Sequence, residues 1–131
     1  MAPIAIDYAV SVSGECPLGG TLSVSGAVTG TIDDQTFAGD LDLGLTTAAS
    51  ACGIDHQQTA ITVDTNPDLV LAGSFAFDQG QLVGEAVFTY LGTVSWVTDD
   101  GRSGSCSYDV LVTATSDGSL AQSGTVCGTS L

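Results

Sequence analysis

The sequence predicts an all-β protein: an antiparallel meander of about nine short strands forming a small barrel or sandwich, as one domain over residues 1–131. Three observations predict it. Apolar and polar residues alternate with a period of two along nearly the whole chain, Asp and Gly punctuate that alternation, and no segment carries the apolar spacing of a helix.

Ile4, Ile6, Tyr8, Val10 and Val12 alternate with Ala5, Asp7, Ala9 and Ser11. Leu22, Val24, Gly26 and Val28 alternate with Ser23, Ser25 and Ala27. Phe37, Leu41, Leu43 and Leu45 share a face against Asp40, Asp42 and Thr46, and Thr46 to Ala51 is read as one helical turn. Ile61 and Val63 continue the beat weakly; Leu69, Leu71, Phe75 and Phe77 restore it against Ala72, Ser74 and Asp78. Leu82, Ala86, Phe88 and Tyr90 follow, then Val94 and Trp96. Cys106, Tyr108, Val110 and Val112 precede a last run from Leu120 to Cys127. A wet face on nearly every strand favours antiparallel pairing, because parallel sheets are covered on both sides. The turns fall between these runs at Asp33-Asp34, Asn66-Pro67-Asp68, Asp78-Gln79-Gly80, Asp99-Asp100-Gly101 and Asp117-Gly118. Asp, Asn and Gly tolerate the positive φ that tight hairpins require.

Four cysteines in a chain this short predict two disulfides and an oxidising compartment: secreted, periplasmic or cell-surface. Zinc, the competing use, lacks a C-x-x-C pair and finds one imidazole, His56. Cys16 and Cys52 stand almost symmetrically about Asp33-Asp34, and Cys106 and Cys127 about Asp117-Gly118. If those turns centre hairpins, each pair faces across two strands at disulfide distance. The expected pairing is therefore Cys16–Cys52 and Cys106–Cys127. Met1-Ala2-Pro3 leads directly into a strand-like run, which implies that an export signal has been removed. No run is long and apolar enough for a transmembrane helix.

Fifteen acidic residues face one basic residue, Arg102, for a formal net charge of −14. Such a surface repels phosphate backbones and anionic membranes, so nucleic acid is not an expected partner. It promotes solubility and attracts cations or basic partners.

Groups able to carry chemistry are sparse. His56 lies in the polar run Asp55-His56-Gln57-Gln58, and no G-x-S-x-G elbow accompanies it. Glu85, between Gly84 and Ala86, is the one carboxylate in an apolar setting of the kind a glycosidase acid needs. For both, a solvated surface residue is the expected role, and no enzyme activity or cofactor is expected. Asp33, Asp34, Asp40, Asp42, Asp99 and Asp100 offer hard oxygen ligands for Ca²⁺, without an EF-hand loop; Asp also serves turns in its own right. Phe75, Phe77, Phe88, Tyr90 and Trp96 are expected on one side of successive strands, either as core or as the lining of an apolar ligand pocket inside a barrel. A membrane barrel would need more aromatic residues than 6%.

The runs Glu15-Cys16-Pro17-Leu18-Gly19-Gly20-Thr21, Gly101-Arg102-Ser103-Gly104-Ser105-Cys106 and Gly124-Thr125-Val126-Cys127-Gly128 resemble uncharacterised secreted bacterial β-rich proteins, often lipoproteins, with a Cys-Pro-x-Gly-Gly-Thr opening and a Gly-x-Val-Cys-Gly close. The resemblance implies export and lipid anchoring upstream, and brings no activity with it. The expected function is a non-enzymatic structural or interaction module of a bacterial cell envelope, an assembly subunit that associates with itself or a protein partner. The alternative is a small barrel holding an apolar small molecule.

Overall fold

The computed structural model describes residues 3–131; Met1 and Ala2, on which the expectation of an export signal rests, lie outside them. Ten strands and no helix form among the described residues: β1 (Ile4–Glu15), β2 (Thr21–Asp33), β3 (Ala38–Ser50), β4 (Cys52–His56), β5 (Thr59–Thr65), β6 (Leu69–Asp78), β7 (Gln81–Thr98), β8 (Ser103–Thr115), β9 (Leu120–Val126) and β10 (Thr129–Ser130). All pairings are antiparallel.

All ten belong to one sheet, ordered β1-β2-β3-β6-β7-β8-β9-β10. Its ends do not pair, so of the two expected architectures, barrel or sandwich, the sheet is of the open, sandwich type and not a closed barrel. The meander is also interrupted. β3 passes the chain to a β4–β5 hairpin, which joins the sheet by pairing β5 to β7. The reason is length. β7 has 18 residues; β6 covers it from Gln81 to Leu91, and β5 covers Val94 to Thr98 on the same edge. A bulge opposite Phe75 lets β7 bend: Val83 pairs with Ala76 and Val87 with Ser74, and Gly84 in between has φ 69°.

Two local expectations fail. Thr46 to Ser50 belongs to β3, because its backbone pairs with β2 and no helical turn competes with that ladder. Phe37 is in the turn before β3 at φ 51°, so it does not share the face of Leu41. The strands number ten, close to the nine expected: the Leu82–Tyr90 and Val94–Trp96 runs are one strand, β7, while β4 and the two-residue β10 are too short to show a period.

Both disulfides pair as expected, with Cα separations of 5.4 Å for Cys16–Cys52 and 4.3 Å for Cys106–Cys127. The route to the first differs. Asp33 pairs with Ala38, so that hairpin is centred past Asp33-Asp34; Cys16 sits in the β1–β2 turn and ties it to the start of β4. Closing loops of 36 and 21 residues removes about 3 to 4 kcal/mol each of unfolded-chain entropy. Around the first bond lies the small core: Cys16, Ala49 and Cys52, with Val63 against them. The Ala49 amide donates to Thr65 Oγ1 at 2.9 Å and the Ala51 amide to Asp64 Oδ1 at 2.7 Å, so side chains link β3 to β5 where no strand ladder does.

Candidate interaction surface

The register assigns every strand residue to one of two faces. Val28 on β2 pairs with Tyr8 and Leu43; Leu43 pairs with Gly73; Gly73 pairs with Phe88, and Phe88 with Val112. Following that row along each strand gives a continuous apolar face: Ile4 to Val12 on β1, Leu41 to Leu45 on β3, Leu69 to Phe77 on β6, Leu82 to Trp96 on β7, and Tyr108 to Val112 on β8. No Asp, Glu or Arg lies on it. The strand acids, among them Asp7, Asp40, Asp42, Asp64, Glu85 and Asp109, all fall on the opposite face, and the remaining acids are in turns or at strand ends. This division follows from the two-residue period: each acid stands an odd number of residues from its apolar neighbours in the strand.

The apolar face is not sealed. No side chain is completely buried among the described residues. On β1, the outermost strand, Tyr8 is 66% exposed and Val12 65%, and at the far side Leu120 on β9 is 75% exposed. Toward the middle, Leu43, Phe88, Tyr90 and Val110 are half-buried by their neighbours within the sheet. A hollow of about 340 Å³ opens where β1 and β2 meet β4, lined by Val12, Leu22, Val24, Ile54 and the Cys16–Cys52 bond.

Phe75, Phe77, Phe88, Tyr90 and Trp96 do share this face, as expected. They form a surface and not the lining of a barrel, because the sheet is open. Phe75 and Phe77 rings are 6.1 Å apart, and Tyr90 meets Tyr108 edge-on at 5.3 Å. Phe88 and Trp96 lie over glycines on neighbouring strands: a Cβ at Gly73 would come 2.1 Å from the Phe88 ring, and one at Gly104 2.5 Å from Trp96. Large rings thus cover the gaps that glycine leaves in a sheet. The outer residues Tyr8, Val12 and Leu22 belong to the same face. Their alternation is plain in the sequence, but reading them as core assumes a covering layer.

Of the other candidate residues, His56 falls on the same side as Cys52 and Ile54 in the β4 register, at the margin of the apolar face, and the acids lie elsewhere. His56 ends β4, beside a groove of about 330 Å³ shared with Gln57, Thr59, Thr98 and Arg102. Glu85 is on the acidic face, near Asp40, Asp42 and Ser74 around a shallow hollow of about 260 Å³. Asp40 accepts a hydrogen bond from Thr31 Oγ1 at 3.1 Å. Asp33 accepts from the amides of Gln35 and Thr36, which closes the β2–β3 turn, and Asp34 lies in that turn. No cluster of three or more potential metal ligands forms among the described residues.

Two turns repeat one design. In Thr98-Asp99-Asp100-Gly101-Arg102, Thr98 Oγ1 donates to Asp100 and the Thr98 amide donates to the Arg102 carbonyl at 2.8 Å. In Thr115-Ser116-Asp117-Gly118-Ser119, Thr115 Oγ1 donates to Asp117 and the Thr115 amide to the Ser119 carbonyl at 3.0 Å. Arg102 also clasps Asp100, Nε and Nη2 reaching Oδ2 at 2.9 and 2.8 Å. Hydrogen bonds from Arg102, then Thr98, lower the Asp100 carboxyl to about 2. Those from the Thr115 hydroxyl and the Ser119 amide lower Asp117 to about 2.

No protein-family model, curated protein or solved structure matches the chain.

Proposed function

We propose that this protein is a non-enzymatic structural or interaction module of a bacterial cell envelope, exported and assembled through the apolar face of its sheet. One observation carries the reading: a continuous face without Asp, Glu or Arg is half-buried at its middle and open at its outer strands, where Ile4, Tyr8, Val12, Leu22 and Leu120 are exposed, while the strand acids all occupy the other side. Apolar side chains gathered on one uncovered face mark a site of association. The disulfides support an oxidising compartment, and the likeness to secreted bacterial β-rich proteins supports the envelope. The experiment is hydroxyl-radical footprinting of Tyr8, Tyr90, Trp96 and Tyr108, comparing the protein in its native envelope or secreted fraction with the chain unfolded in denaturant. Strong protection of all four in the native fraction is expected. Labelling of Tyr8, at the outer strand, as fast as in denaturant would mean that nothing docks on this face and would overturn the reading.

A further inference from the structure

We infer that the layer covering the apolar face is a second copy of this chain, packed face to face across a two-fold axis. The inference rests on the proposal that this face is the assembly surface, and names its occupant.

Area is the first argument. The accessible surface is 8148 Å² for a 13.1 kDa chain, against roughly 6,400 Å² for a closed monomer of that mass. The excess is about 1,700 Å² per chain. That is what one protomer of an obligate homodimer loses, since such interfaces bury about 2,000–5,000 Å² in total. One protein ligand of standard interface size, about 800 Å² per partner, would leave half of the excess uncovered.

Charge is the second. A partner must bring a broad surface with no charge to bury against Phe88, Tyr90 and Trp96, and the sheet itself presents one. Two copies meeting on it bury no carboxylate. They keep their strand acids on the two outer sides, separated by both sheets, where a net charge of −14 per chain is best solvated.

Geometry agrees. Two sheets of identical twist stack with aligned strands about 10 Å apart, their inner side chains interdigitating. A two-fold axis makes the contact self-complementary and closes it at two copies.

Sedimentation equilibrium of the purified, oxidised chain tests this. Twice the 13.1 kDa chain mass is expected at micromolar concentration. Tyr8→Asp with Val12→Asp, two substitutions at exposed positions of the apolar face, should weaken the dimer at least about tenfold. Ser11→Asp, on the same strand but facing the acidic side, should change it less than about twofold; circular dichroism checks that each variant is folded. A chain of single mass up to ~100 μM, equal weakening by both variants, or growth beyond two copies each overturns the inference. So does binding of a monomer to phosphatidylcholine vesicles, which would make a lipid layer the occupant. A monomeric purified chain whose aromatics are protected in the native fraction removes the second copy and leaves the assembly module standing; loss of both signals removes both.

Discussion

At the scale of single residues, glycine separates two kinds of strand position. Gly30 has φ 151°, and a Cβ there would stand 2.0 Å from the Asp40 carbonyl oxygen on the paired strand. Gly26 repeats the arrangement against Gly44 at 1.9 Å. Backbone is the obstacle in both cases, so nothing can rotate aside, and the two sites let β2 approach β3 closely. Gly44 has ordinary φ, and a Cβ there would meet nothing within 4 Å. Gly30→Ala should therefore cost about 3 kcal/mol, through strain and displaced backbone. Gly44→Ala should stabilise by about 0.5 kcal/mol by restricting the unfolded chain. Urea unfolding of the oxidised protein reads both, and equal effects would contradict this account. None of this is legible in the sequence, where the glycines look alike. The pairing of Phe88 with Gly73, and of Trp96 with Gly104, is likewise a matter of register, which is settled by partners far along the chain.

At the scale of elements, the two Thr-x-Asp-Gly turns connect β7 to β8 and β8 to β9. Their carboxylates are held ionised by donated hydrogen bonds, with values near 2 in the folded protein against about 3.9 in an unfolded chain. A lowered value fixes the sign: each contributes stability above about pH 4, which is lost as pH falls toward 2. Arg102→Gln should move the Asp100 midpoint upward, because Arg102 is the larger cause, and leave Asp117 in place. Thr115→Val should do the reverse. Carboxyl-carbon NMR titration follows both residues at once; an unmoved Asp100 in Arg102→Gln would refute the assignment. These turns, and the faces of β1, β2, β3, β6, β7 and β8, are legible in the alternation and its Asp-Gly stops. The β4–β5 excursion is not, because the two-residue period says which side of a strand is apolar and nothing about its neighbour. Hence the correct pairing of Cys16 with Cys52 rests, in the sequence, on a hairpin symmetry that the β2–β3 register does not have.

At the scale of the whole molecule, apolar attraction and electrostatic repulsion act on the same association. The apolar face contributes in proportion to the area it removes from water. Opposing it, each chain carries −14 charges, and only Arg102 offsets the acids. In a face-to-face pair those acids lie outward and exposed, so the repulsion passes largely through solvent and is screened over about 10 Å at 0.1 M salt, or about 30 Å at 0.01 M. Raising ionic strength should accordingly tighten the dimer, by about tenfold between 0.01 and 0.5 M. This is opposite to an association held by salt bridges, which salt weakens. Sulfate should act more strongly than chloride, since it also favours burial of apolar surface. Sedimentation at the two salt concentrations measures the change, and its sign discriminates. Weakening by salt would mean that carboxylates contact a positive group at the interface. Arg102 is the only such side chain available, and it lies in the β7–β8 turn, already clasped to Asp100.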